Sequence, residues 1–303
     1  MLDTSLGAYL LLTLMALFLA SNHVIGRSVQ GVIPPLGLSF WRWMVCVLLL
    51  FPFMLPRMRR LMPFYRDHLA TYLMLGCLMV GSTSLILVAL NFTTAINTSL
   101  INAVQPSLTL LMAMLFINEK ITRFAIFGIV SALTGVVMML SKGSWAELSA
   151  LQFNIGDIIA LVAMLGFSGY ALILKRLPPA LSVAESLFAI ALLGSLVLLP
   201  FYLLESLFFA TVPVTRDTAV VVVELGLLVS LFANLMWNHG IKVIGPSKAA
   251  IFINLIPIFG AVLAVTFLDE RIRFYHLAGA LLICLGIGLV VGNLGKGSAN
   301  NEG

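Results

Sequence analysis

The sequence predicts an all-α membrane protein of ten transmembrane helices arranged as two inverted five-helix repeats. Three observations carry this expectation. The 303-residue chain is 61% hydrophobic and 10% charged, with a mean hydropathy of +1.11, far more apolar surface than a water-soluble domain hides. Ten apolar runs are each long enough to cross a hydrocarbon core about 30 Å thick, which takes roughly 20 helical residues. One segment also recurs 151 residues later, in halves that would each hold five spans.

The spans fall at 6–26, 36–55, 69–90, 95–117, 124–140, 155–174, 183–204, 218–240, 246–268 and 275–294. Met1 to Ala8 carries no basic residue and a long apolar stretch follows, so the first run reads as a retained span, not a cleavable signal. The second holds Arg42, the basic residue set clearly within an apolar run. The third and seventh are apolar nearly throughout. The fourth carries Thr98, Asn102, Gln105 and Thr109, which share one helical face at i, i+4, i+7 and i+11, with Pro106 among them to free a backbone carbonyl. The fifth contains Gly128 and Gly135, and the tenth contains Gly279 and Gly286.

The sixth span opens on Gly156 and Asp157 and includes Tyr170. The eighth carries Ser230, Asn234 and Asn238 on one face, beside Trp237. The ninth has Pro257 at the depth of Pro106, with Asn254 one turn before it. Cys46, Cys77 and Cys284 all lie within spans, so no disulfide framework is implied.

The repeat is specific. Pro106, Ala113, Phe116, Glu119, Ile121, Gly128 and Gly135 meet Pro257, Ala264, Phe267, Glu270, Ile272, Gly279 and Gly286 at one offset, and Lys120 meets Arg271. A shared excess of Leu and Ala does not produce matched Pro, Glu and Gly positions. Five spans per half is an odd number, so the second half enters the bilayer from the opposite side, and the copies are related by a pseudo-two-fold axis in the membrane plane. The expected units are a first repeat at 1–142, a connector at 143–153, a second repeat at 154–296 and a tail at 297–303.

Charge sets the expected orientation. Arg57, Arg59, Arg60, Arg66, Lys120, Arg123, Lys175, Arg176, Lys242, Lys248 and Lys296 share the side of the N-terminus, against Arg27, Lys142, Arg216, Arg271 and Arg273 opposite. The positive-inside rule then puts both termini in the cytoplasm. Net charge of +5 is accounted for by topology and anionic lipid, without a nucleic-acid partner.

The segment Ala95-Ile-Asn-Thr-Ser-Leu-Ile-Asn-Ala-Val-Gln-Pro106, running on to Asn118-Glu-Lys-Ile121, Gly128 and Gly135, resembles the repeat signature of the drug/metabolite transporter superfamily, EamA-type branch. Gly245-Pro-Ser-Lys-Ala249 through Pro257 to Asp269-Glu-Arg-Ile272 looks like its second copy, and Arg42 and the Gly156-Asp157 pair extend the likeness. The resemblance implies a ten-helix exporter or exchanger of small metabolites, often amino acids, in a bacterial inner membrane, with a cavity between the halves. Asn22-His23 and Phe40-Trp-Arg-Trp43 are loosely similar to aromatic amino-acid exporters. A multidrug or other small-molecule permease of the same fold is the alternative, and a non-transport membrane protein or an intramembrane enzyme is the alternative of a different class.

Candidate substrate-binding residues are polar or aromatic groups inside the spans, since each is costly in hydrocarbon unless it faces protein or water. They are Asn102, Gln105, Asn234, Asn238, Asn254, Trp237, Tyr170 and Arg42. Each also has a packing reading: amides that join helices, Trp237 as an interfacial anchor, Tyr170 as core, Arg42 bonded to carbonyls or snorkelling. Candidate coupling or gating residues are His23, Pro106, Pro257, Glu119 and Glu270, with His23 able to couple protons near neutral pH or simply to pack. No Asp or Glu falls near the middle of a span, Glu224 coming closest, which favours a zwitterionic, anionic or neutral substrate over a lipophilic cation. No His-Glu-x-x-His, phosphate loop, Gly-x-Ser-x-Gly or metal-spaced Cys/His set occurs, so neither an enzyme nor a cofactor is expected.

Overall fold

Apolar helices account for nearly all the described backbone, because inside a bilayer each peptide group must find its partner within its own segment. The structure is a computed structural model. It describes residues 4–28, 32–93, 95–119, 122–149, 152, 154–177, 180–267 and 273–293, without the side chains of 21–28, 95, 96, 147, 264, 265, 267 and 293. His23 and Glu270 therefore lie outside the described side chains. Nine stretches among the described residues are long and apolar enough to cross a membrane, and Ser5–Ser28 makes the tenth.

The first seven spans are Ser5–Ser28, Pro35–Met54, Leu69–Ala89, Ala95–Ile117, Arg123–Leu140, Ile155–Lys175 and Val183–Phe208. The eighth is composite: α-helical Arg216–Glu224, π-helical Leu225–Ala233, then α-helical Asn234–Ile244. The ninth runs from Pro246–Ala250 through a 3₁₀ turn, Ile251–Leu255, into Ile256–Phe267, and the tenth is Phe274–Asn293. Spans eight and nine meet at Gly245, whose φ of +86° is a conformation that a side chain would strain. Beyond the second span, a 3₁₀ turn at Leu55–Arg57 leads to a short helix, Met58–Asp67, that buries Leu61 and Tyr65 and leaves Arg59 and Arg66 exposed.

The two prolines at matched depth sit in different local structure. Pro106 lies inside a continuous helix. Pro257 is the second residue of an α segment, directly after the 3₁₀ turn, a position where its missing amide and fixed φ fit without breaking a ladder.

Helix five crosses helix ten at the pseudo-two-fold axis. A Cβ built on Gly128 would stand 2.7 Å from the Gly286 carbonyl oxygen, and one on Gly135 would stand 2.5 Å from that of Gly279. Residues that are equivalent in the two repeats thus exchange partners, as a two-fold requires. At the centre, Ser131 Oγ donates to the Leu282 carbonyl at 2.9 Å, and these two positions are themselves 151 residues apart. The duplication read from the sequence is therefore a spatial symmetry. Only glycines allow this approach, since any side chain would meet backbone.

Six of the other eight spans form two mixed groups. The third, fourth and sixth pack together, as do their repeat counterparts, the eighth, ninth and first. Thr109 Oγ1 donates to Ser168 Oγ at 3.0 Å within the first group. Each group borrows one helix from the other half of the chain, so the repeats interlock. Spans two and seven lie against one another and against the third.

Candidate functional site

A cavity of about 230 Å³ opens between the two groups. The second span contributes Pro35, Leu38 and Arg42, spaced i, i+3 and i+7 on one face. Thr83, Leu90 and Asn91 come from the third span and its end, and Thr98, Ser99, Asn102 and Gln105 from the fourth. Met164 and Phe167 of the sixth, Val229, Asn234 and Trp237 of the eighth, Ile253 and Ile256 of the ninth, and Met15 and Leu19 of the first complete the wall.

Depth follows from which ends of the spans take part. Pro35, Leu90, Asn91 and Ser99 stand at span ends on the face away from the N-terminus, while Gln105, Trp237 and Ile253 stand near mid-depth. Among the described residues, none that lines the cavity comes from the span ends on the N-terminal face. Below the cavity, on that face, polar contacts join the spans. Tyr170 OH donates to Asn238 Oδ1 at 2.7 Å, Ser247 Oγ to Glu119 at 2.7 Å, and Arg176 to the Phe116 carbonyl at 2.7 Å. Lys242 Nζ reaches the Leu181 carbonyl at 2.8 Å. Two of these bonds, Ser247 to Glu119 and Arg176 to Phe116, connect the halves of the chain.

Arg42 is the electrostatic centre of the wall. Its residue is 3% exposed, its Nε is buried without a partner, and among the described residues the ion pairs involve only Arg57 and Arg60, both with Glu185. The next residue, Trp43, is fully buried and donates from Nε1 to Thr83 Oγ1 at 3.0 Å, which fixes this turn against the third span. A guanidinium held in a low-dielectric wall without a counter-ion is costly, and a bound anion would relieve that cost. Nearby, Asn102 Oδ1 is buried and unpartnered.

The π-helical stretch explains how Asn234 reaches the cavity. An i→i+5 turn displaces the ladder and leaves carbonyls off register. The Asn234 side chain fills that gap, its Nδ2 donating to the Val229 carbonyl at 2.9 Å and to Ser230 at 3.2 Å. The stretch also presses on the second span, where a Cβ on Gly226 would come 3.0 Å from the Arg42 carbonyl.

Of the eight residues read from the sequence as substrate-binding, the structure brings Arg42, Asn102, Gln105, Asn234 and Trp237 into one wall. Tyr170 and Asn238 do not line it. They bond each other, both buried, with Asn238 Oδ1 taken by the tyrosine and its Nδ2 left without a partner. Asn254 is 2% exposed within the 3₁₀ turn and also stands off the lining. Pro106 and Pro257 are likewise outside the wall. Thr83, Asn91 and Phe167 were not singled out by the sequence, since a hydroxyl, a loop amide and a phenyl carry no spacing signal of their own.

Buried carboxylates exist, but each has dedicated donors and none lines the cavity among the described residues. Asp157, in the first turn of the sixth span, accepts from Thr93, from Asn97 at 3.1 Å and from the Asn154 amide at 2.9 Å. Glu185 pairs with Arg60 and Arg57. Glu205 corrects the expected end of the seventh span at 204. The helix continues to Phe208 and carries Glu205 inside it, 9% exposed, since its carboxylate is satisfied by backbone amides of the second span.

The model of the EamA-like transporter family matches residues 6–141 and again 154–292. Curated relatives include the uncharacterized transporter YyaM of Bacillus subtilis, 23% identical over 93% of this chain and 92% of that protein. The aromatic amino acid exporter YddG of Salmonella typhimurium is 26% identical over 63% of this chain and 65% of its own. One solved crystal structure superposes with a TM-score of 0.73 at 19% identity, covering 94% of this chain and 96% of the other, a likeness of fold.

Proposed function

The chain belongs to the EamA-like transporter family, and we propose that it exports or exchanges amino acids or related small carboxylates by alternating access. The observation that carries this reading is the buried Arg42 in the cavity wall, whose Nε has no hydrogen-bond partner and which has no ion-pair partner among the described residues. A substrate carboxylate would complete its ion pair. Asn102 and Gln105 offer amide oxygens to an ammonium group, and Phe167, Trp237 and the nearby methionines offer an apolar wall to a side chain. The volume of about 230 Å³ falls below the roughly 300–1,000 Å³ of pockets for drug-sized ligands, which supports a small metabolite. The name of the exporter YddG points the same way.

In this reading the wall faces the side opposite the N-terminus, and Glu119–Ser247, Arg176–Phe116 and the Tyr170–Asn238 layer close the other side. Transport requires those contacts to open while the far side closes. Matched but differently built hinges at Pro106 and Pro257 would serve that exchange. With both termini cytoplasmic, as the basic residues argue, the cavity opens outward from a bacterial inner membrane. His23 is the candidate for proton coupling.

Counterflow in proteoliposomes tests the proposal, using amino acids, their amides and esters, small organic acids, purines and cationic dyes, under pH gradients of both signs. Saturable exchange of amino acids that is lost when the carboxylate is amidated is the expected result. Exchange of cationic dyes alone would refute the role assigned to Arg42 and favour the multidrug reading.

A further inference from the structure

The second span begins with a defect that its own sequence does not repair. Pro34 and Pro35 occupy the N-cap and first helical positions, and no side chain caps the helix by the usual local bond. Neither proline has an amide to donate. The Leu38 amide already reaches the Pro34 carbonyl at 2.9 Å. Two orphan donors remain, on Leu36 and Gly37. One carboxylate takes both: Glu205 of the seventh span accepts from Leu36 at 3.0 Å and from Gly37 at 2.7 Å.

The surroundings hold this clamp in place. Tyr202, one turn before Glu205, stacks on Phe40 with ring centroids 4.8 Å apart and accepts from Trp41 Nε1 at 3.1 Å. At the other end of the same helix pair, Tyr65 OH donates to the Glu185 carbonyl at 2.8 Å, and Arg60 pairs with the Glu185 carboxylate. The second span at one membrane face, and the short helix that follows it at the other, are therefore tied to the seventh span. Arg42 lies five residues beyond Gly37, about 8 Å along the helix, on the face that also presents Pro35 and Leu38 to the cavity.

A helix end pinned by two charge-assisted bonds has its rotation and axial register set there. We propose that Glu205 is a positioning residue for the binding site, which holds the second span so that the Arg42 guanidinium faces the cavity. The inference deepens the transport reading above and depends on it only for the choice of substrate.

Two arms test it. In the first, L-phenylalanine counterflow is measured for the parent chain, E205Q, R42Q and the double variant. Gln keeps one acceptor and turns an amide NH₂ toward the other backbone N–H. E205Q should raise half-saturation about tenfold, the scale of one lost charge-assisted bond, with maximal rate per folded protein little changed and no further effect on R42Q. Equal effects with Arg42 present and absent would reduce Glu205 to a stabilising cap and overturn the proposal.

The second arm needs no substrate. In a chain with Cys46, Cys77 and Cys284 replaced by Ala, R42C is modified by a water-soluble methanethiosulfonate from the side opposite the N-terminus. E205Q should slow that modification about tenfold by the same reckoning, and an unchanged rate overturns the proposal. Should E205Q fail to reach the membrane, E205D keeps the charge on a shorter arm and should move both readouts in the same direction. If the parent chain exchanges no L-phenylalanine, the amino-acid reading fails, while the cysteine arm still decides the role of Glu205.

Discussion

Replacing Arg42 by Met separates a binding role from a packing role by the sign of two effects. Met keeps an unbranched apolar stem, shorter by the guanidinium head, and loses the charge. Arg42 lies in the cavity wall, 3% exposed, without a described ion pair. Two unit charges 4 Å apart attract by about 4 kcal/mol at an effective dielectric of 20, and removal of a substrate carboxylate's water offsets part of that. A hydrogen bond to a charged group retains about 1.5–3 kcal/mol net, so half-saturation should rise roughly 10- to 150-fold. Folding stability should move the other way or not at all, because an uncompensated buried charge disappears. Counterflow of a carboxylate substrate measures the first effect, and thermal unfolding of the purified protein in detergent measures the second. Unchanged half-saturation together with a lower melting temperature would mean that Arg42 serves packing, and the reasoning would be refuted.

Other expectations follow from the geometry. Gly135→Val would force a side chain against the Gly279 carbonyl, 2.5 Å from the Cβ position; overpacking there should cost about 1–3 kcal/mol, seen as a lower melting temperature, and a neutral variant would refute the tight crossing. Tyr170→Phe removes the 2.7 Å bond to Asn238, takes the donor away from the buried Asn238 Oδ1 and should cost about 1–3 kcal/mol; labelling of a cysteine at position 241 from the N-terminal face should speed up if this layer closes that side. Asn102→Ala and Gln105→Ala should weaken transport and leave the amount of folded protein in the membrane unchanged, and unaltered kinetics in both would remove them from the site. Cysteines at 119 and 270 should label from opposite faces of the membrane, since labelling from one face contradicts an inverted repeat.

How much was legible in advance depended on how local the cause was. Hydropathy sums over a single stretch of chain, so all ten spans could be placed by reading along it, and the repeat needed only an offset. Gly128, Gly135, Gly279 and Gly286 were legible as matched positions, yet the contact that makes them matter is between helices five and ten. The polar stripe Thr98, Asn102, Gln105 is a property of one helix, and its first three members do face the cavity. The eighth-span stripe divided. Asn234 reaches the cavity wall and also bridges carbonyls of the π turn, whereas Asn238, one turn on, gives its Oδ1 to Tyr170 of another helix and does not line the cavity.

The sequence by itself determined the solvent, the number of spans, their opposed orientation in the two halves and the types of polar group that had to be accommodated. These follow from hydrophobic transfer and backbone hydrogen bonding, which act within one segment. Only the tertiary structure decided which of those groups face open space. Whether a buried amide, hydroxyl or carboxylate is free to meet a substrate depends on what another helix offers it. Glu205 has two backbone amides from the second span, Asn238 has a tyrosine from the sixth, and Arg42, among the described residues, has no ion-pair partner. A one-dimensional pattern cannot state that difference, because the partners are set by packing between residues far apart in the chain.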